Sequence, residues 1–153
     1  MLEIDMVDAC YNYFFSNNDD FKMVVCEVPF LSRCIDMVLI TKESQIVTIE
    51  FKIKNWRKAL QQARNHKLGA DKSYICLPEK TLSKELTKVL EQEQIGLYIY
   101  KPGESCIINE YYPAPYNKRK VDIFSEMLIR TTFNISEKQL YHKKMCPTEL
   151  LTC

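Results

Sequence analysis

RCIDMVLITKESQIVTIEFK, residues 33–52, decides the fold. Residues 33–40 form an apolar, β-branched run broken by one acid, Asp36, and residues 41–45 are polar. From Ile46 onward, Val47, Ile49, Phe51 and Ile53 alternate with Thr48, Glu50, Lys52 and Lys54. A period of two is the pattern of a strand, because successive side chains leave opposite faces. Glu50 and Lys52 therefore project to one side, with backbones roughly 6–7 Å apart. Antiparallel pairing through the turn at 41–45 brings Asp36 opposite residues near Glu50. Asp36 stands among Ile35, Met37, Val38, Leu39 and Ile40, where an uncompensated carboxylate is costly. A cation shared by the two acids is one compensation. A salt bridge from Lys52 to either acid on a partly solvated sheet face is the other.

Working outward, residues 22–28 repeat the apolar, β-branched character before Pro29-Phe30-Leu31-Ser32, which predicts a hairpin with 33–40. Residues 2–15 place Leu2, Met6, Ala9, Cys10, Tyr13 and Phe14 at helical spacing, with acids in the first turns. After the third strand, Asn55 is placed to cap a helix from Trp56 to about Leu68, with Trp56, Ala59, Leu60 and Ala63 inward and Gly69 at its end. A short buried strand over 73–77, an amphipathic helix over 82–93 starting near Thr81, and a strand over 95–100 follow. That alternation requires parallel crossovers.

Pro102-Gly103 turns the chain into an edge strand over 106–112, and Pro113-Ala114-Pro115 interrupts regular structure. Beyond it, two short helices are expected over 121–130 and 136–144, led by Lys118-Arg119-Lys120. The expected class is α/β: a mixed central sheet in which a three-stranded antiparallel meander is extended by parallel strands through right-handed crossovers, flanked by helices. Residues 1–115 form the core, and 116–153 a helical extension too short to be stable alone.

A chain of 153 residues, 46% hydrophobic and 27% charged with three glycines, has the composition of one globular domain. No apolar run reaches the roughly 18 residues that cross a bilayer, and the amino terminus lacks the basic start of a signal peptide; a cytoplasmic protein is expected. The seven cysteines contain no C-x-x-C pair and read as reduced core thiols. Charge is sorted: residues 1–50 carry nine acids and three bases, and residues 51–72 seven bases and one acid. Carboxylates that hold cations beside bases that meet a polyanion require such sorting, although two solvated faces produce it as well.

The order of these features resembles the PD-(D/E)XK nuclease superfamily. Glu3 on a first helix is followed by Glu27 and Arg33-Cys34-Ile35-Asp36, by Ile49-Glu50-Phe51-Lys52, and by Ala59-Leu60-Gln61-Gln62-Ala63 on the next helix. The likeness spans roughly residues 2–100; Ile35 stands where the superfamily's name places proline. It implies a restriction-endonuclease-like fold and metal-dependent phosphodiester hydrolysis. Asp36 and Glu50 become metal ligands with the Phe51 carbonyl, and Glu27 and Glu3 occupy positions of an additional acid. Lys52 becomes the residue that orients or activates the attacking water, and Gln62, rather than its neighbour Gln61, the helix glutamine that holds water or phosphate. Magnesium, or manganese in its place, is the implied ion.

The implied substrate is nucleic acid, DNA before RNA, with a homodimer possible. Lys54, Arg57, Lys58, Arg64, Lys67 and Lys72 read either as a phosphate-tracking surface or as a solvated face. His66, four residues after Gln62, shares its side of the helix and reads as a substrate contact or a surface residue. Tyr111, Tyr112 and Tyr116 read as stacking platforms or as packing for the carboxy-terminal helices. Two further readings stay open. One is a catalytically weak or silent domain of this fold that binds nucleic acid or protein. The other is an assembly module paired through Phe124, Leu128 and Ile129.

Overall fold

The chain runs through α1 (Glu3–Ser16), β1 (Phe21–Phe30), β2 (Arg33–Thr41), β3 (Ile46–Phe51), α2 (Trp56–His66), β4 (Lys72–Pro78), α3 (Lys84–Glu93), β5 (Gly96–Lys101), β6 (Ile107–Tyr112) and α4 (Asp122–Met145). The structure is a computed structural model that describes residues 2–17, 19–103 and 107–145. The six strands lie side by side in chain order. β1, β2 and β3 are antiparallel, β3, β4 and β5 are parallel through the α2 and α3 connections, and β6 returns antiparallel to β5. This is the mixed sheet that the hydrophobic alternation predicts.

Alternation divides the core between two faces. Met6, Cys10 and Phe14 of α1 pack on Met37, Leu39, Ile49, Phe51, Tyr74 and Cys76. The intervening residues face the other way. There Ala59, Leu60 and Ala63 of α2 and Leu86 and Leu90 of α3 cover Ile75, Leu77, Leu97 and Ile99. Leu128 of α4 joins Val25, Val28, Val38, Ile40 and Ile46 on that same side. Because both faces are covered, every residue of β3 is buried, Thr48 and Glu50 included. The partly solvated sheet face that one of the two readings of this strand expects is absent from β3.

Several boundaries differ from the sequence reading. Pro29 lies inside β1, level with Cys34, which β1 tolerates as an edge strand. β3 ends at Phe51, although the Lys52 amide still donates to Cys76 O at 3.2 Å. Asn55 adopts a left-handed φ of 59° and makes no side-chain cap, and α2 stops at His66. Gly69 serves close approach instead: an added Cβ would sit 3.0 Å from Phe124 O and 3.1 Å from the Phe30 ring. α3 starts at Lys84, where Ser83 Oγ accepts from the Leu86 amide at 3.1 Å.

One continuous α4 replaces the two short helices expected. Thr131 and Thr132 return their hydroxyl protons to the Met127 and Leu128 carbonyls at 2.8 and 2.7 Å, and Leu128 and Thr132 are buried. Phe124 and Ile129 pack on the same core as Leu128, so this stripe meets the chain's own sheet rather than standing outward.

The segment before α4 clasps the loop after α2. Asn117 Nδ2 donates to Lys67 O and Ala70 O at 2.6 and 3.0 Å, and Ser125 Oγ to Gly69 O at 2.7 Å. Lys120 Nζ meets buried Asp71 at 2.5 Å, and Asp71 also accepts from the Ile46 amide at 2.7 Å. Lys120 is thus committed to a structural ion pair.

Cys10, Cys26 and Cys76 form no disulfide, whereas Cys34 is disulfide-bonded, which corrects the reading of all seven as reduced. Cys106, Cys146 and Cys153 lie outside the described residues. Among the described residues, no helix is long and apolar enough to cross a membrane.

Candidate functional site

The β2–β3 ladder runs from Ile40↔Ile46 to Met37↔Ile49. One step further along, Asp36 and Glu50 stand across from each other, and side chains take over from backbone pairing. The Asp36 amide donates to Glu50 Oε1 at 3.2 Å, and the Phe51 amide donates to Asp36 Oδ2 at 2.9 Å. Each carboxyl satisfies a backbone donor of the other strand, so both acids lie on one face, at the carboxyl end of β3. That end is where open α/β sheets place their ligands.

The electrostatics follow from burial. Glu50 is 1% exposed. Loss of solvent, then the charge of Asp36 and a hydrogen bond to its carboxyl, push the Glu50 pKa up from 4.5 to about 9, while Lys52 pulls it back. At neutral pH the pair therefore retains a proton that two ordinary carboxylates would release. The site is short of positive charge. Asp36 is half-buried and provides the solvent-facing side of the pair.

Lys52 Nζ lies 3.7 Å from Glu3 Oε1, with the Lys52 side chain 25% and the Glu3 side chain 45% exposed. Glu3 thus reaches the site by way of the lysine. Glu27 takes a left-handed φ of 52° within β1, between the Cys26↔Met37 and Val28↔Ile35 pairs and so level with Asp36. Gln62 is half-buried, its Oε1 without a hydrogen-bond partner, and Gln61 is exposed.

His66, read from the sequence as a substrate contact or a surface residue, belongs to this neighbourhood and is buried. It is 5% exposed, with Nε2 3.4 Å from Glu50 Oε1. Burial lowers its pKa to about 4, so it stands beside the acids as a neutral ring rather than a counter-ion. The signal was present: His66 continues the inward stripe of Ala59 and Ala63 at helical spacing.

The six bases divide. Lys54 and Lys58 are exposed where the chain leaves β3 and enters α2. Arg57 lies over the Trp56 ring at 4.3 Å and pairs with Glu85. Arg64 pairs with Glu93 at 2.7 Å, and Lys67 donates to the Glu93 carbonyl at 2.9 Å. Lys72 is level with Val47, three residues before Glu50, toward the opposite end of the sheet. Of the tyrosines, Tyr111 and Tyr116 are exposed and Tyr112 is half-buried.

Among the described residues, no three or more His, Cys, Asp or Glu side chains converge as a metal-holding group. What the site offers is two hard oxygen donors, buried and under-neutralised, and any further donor has to come from backbone or water.

No protein-family model matches the sequence, and no curated protein does. Solved structures match its shape. A protein of unknown function from Silicibacter pomeroyi superposes with a TM-score of 0.60 at 17% identity, over 84% of this chain and 82% of that one. The crystal structure of a repair endonuclease from Pyrococcus abyssi superposes with a TM-score of 0.50 at 17% identity, over 67% of this chain and 48% of the endonuclease. At this identity the likeness is one of fold alone.

Proposed function

We propose that this chain is a nuclease-fold domain that binds nucleic acid, DNA in preference to RNA, at the sheet end where Asp36 and Glu50 meet, and that hydrolyses phosphodiesters weakly or not at all. The observation that supports this place is the convergence of two carboxyls in a setting short of positive charge, which a cation would offset and so bridge to phosphate, with Lys52 alongside and Lys54 and Lys58 exposed nearby. The weak or silent form is favoured because no third acidic, histidine or cysteine ligand joins the pair among the described residues, and because Lys52 is drawn to Glu3.

A second reading is a fully active metal-dependent nuclease, and the coupled Asp36–Glu50 pair favours it. The pair's donor chemistry fits a hard divalent cation, so Asp36, Glu50 and the Phe51 carbonyl are the residues that would hold Mg²⁺ or Mn²⁺. Such an ion supplies a Lewis acid for the phosphate oxygen and lowers the pKa of water. The chain's own contributions are then distinct. Lys52 places a cation against charge that develops on the phosphate, Gln62 offers an amide to position water or phosphate, and burial of Glu50 keeps bulk solvent to the Asp36 side of the pair.

One experiment separates the readings: single-stranded, duplex and branched DNA and RNA are incubated with the protein and Mg²⁺ or Mn²⁺, with binding measured in parallel, beside Glu50→Ala. The proposal expects binding by both proteins and slow or no cleavage. Rapid cleavage that Glu50→Ala abolishes establishes the second reading, and absence of binding to every nucleic acid overturns both.

A further inference from the structure

Between the turn that joins β1 to β2 and the last turns of α2 lies a cavity of about 240 Å³. Phe30 and Leu68 supply apolar wall, and Gln62, Asn65 and His66 reach it from α2. Two of these residues carry buried polar atoms that have no hydrogen-bond partner among the described residues, Gln62 Oε1 and His66 Nδ1. One helical turn separates them, so they serve the same side of α2. Leaving a polar atom unpaired at that depth is costly, and buried polar groups are nearly always satisfied. His66 has its other ring nitrogen turned to Glu50, so Nδ1 is the ring atom left without a partner among the described residues.

The cavity has a charged member as well. Arg33 lines it and is exposed, and its side chain makes no ion pair or hydrogen bond among the described residues. The volume falls below the roughly 300–1,000 Å³ that encloses a drug-sized ligand; it has room for one planar ring and its substituents, and none for a duplex or a helix.

We propose that this cavity is a subsite for one unpaired nucleobase of a single strand. Its ring lies against Phe30 and Leu68, its N–H donors meet Gln62 Oε1 and His66 Nδ1, and its phosphate meets Arg33. The inference rests on the nucleic-acid reading above and specifies its substrate: strands with unpaired nucleotides bind in preference to continuous duplex. In duplex pairing takes up part of those N–H donors, and a base must leave the stack to enter. Two N–H donors come from cytosine, adenine or guanine and only one from thymine, so amine-bearing bases enter in preference, and the ring contact gains from strand flexibility.

The test uses the full chain labelled with ¹⁵N-histidine, without divalent cation, so that it does not depend on hydrolysis. Only two histidines need assigning. A short oligo(dC) single strand, and the same sequence in blunt duplex, are titrated while the His66 Nδ1 resonance and the anisotropy of labelled DNA are followed. The expected result is a shifted His66 Nδ1 with single strand, affinity for single strand about tenfold above duplex, and loss of both in Ser32→Trp. That substitution fills the cavity from the exposed turn and leaves Asp36, Glu50 and Lys52 in place. Asn65→Trp fills it from α2 and keeps the test standing should Ser32→Trp fail to fold.

An unmoved His66 under saturating single strand, or wild-type affinity in both filled variants, overturns the subsite and leaves water as its only occupant, with nucleic-acid binding intact. Absence of binding to any strand overturns the subsite together with the reading on which it rests.

Discussion

Replacing Glu50 by glutamine isolates the electrostatic state of the site. The amide keeps an oxygen for the Asp36 amide, which Glu50 Oε1 accepts at 3.2 Å, and it resembles the protonated acid in shape and charge. Wild-type Glu50 has its folded pKa raised from 4.5 to about 9. The folded state therefore binds more protons than the unfolded chain between those values, and stability falls as pH rises through that window. Below about 4.5 both states are protonated and the contribution is fully present.

At about 1.4 kcal/mol per pH unit, the loss on going from pH 4.5 to 7 is on the order of 3 kcal/mol. Glu50→Gln does not titrate, so urea unfolding in a chelator should find it equal to wild type near pH 4.5 and more stable by that order at pH 7. A divalent cation should close the gap, because at a hundred times its Kd a ligand adds about 2.7 kcal/mol, and only wild type has the charge to hold it. A difference that stays flat across the pH range, or a variant less stable throughout, refutes the shared-proton account.

Three further outcomes follow from the same structure. Gly96→Ala should destabilise the fold by about 1–3 kcal/mol in urea unfolding, because the new Cβ meets the Tyr74 ring at 2.4 Å and the Ala114 amide nitrogen at 2.7 Å. Lys120→Met should cost about 1–3 kcal/mol, since the carboxyl of Asp71, 2% exposed, then keeps only the Ile46 amide among the described residues; an unchanged urea midpoint contradicts the structural role assigned to this base. Lys54→Glu with Lys58→Glu should lower the salt slope of single-strand binding by roughly 0.7 for each phosphate no longer neutralised. Lys72→Glu, level with Val47, should leave that slope unchanged.

The sheet was legible because its signals are local. Alternation in Ile46–Phe51 and the polar turn after Thr41 specify β2 and β3 without reference to the rest of the chain, and a one-residue slip would turn every side chain over. The meeting of Asp36 with Glu50 follows from that same register. What the sequence hid depends on tertiary cover. Glu50 looks like the polar half of an amphipathic strand, and its burial comes from helices on both faces, which no tripeptide encodes. His66 is one of two histidines, and its place against Glu50 arises only when α2 packs across β3. In α4, the gap left between the two expected helices holds Thr131, Thr132 and Asn134, which are weak helix formers, and the packing of Leu128 and Thr132 carries the helix through it. Lys120 was indistinguishable from Lys118 and Arg119 until the loop holding Asp71 came beside it.

Titration calorimetry with Mg²⁺ and Mn²⁺, repeated in buffers of different ionisation heat, tests most directly whether the Asp36–Glu50 pair is a cation site. The account predicts one ion per chain, release of about one proton on binding at neutral pH, and loss of both in Asp36→Asn and in Glu50→Gln. Binding that survives either substitution, or an absence of binding in the wild-type chain, contradicts it.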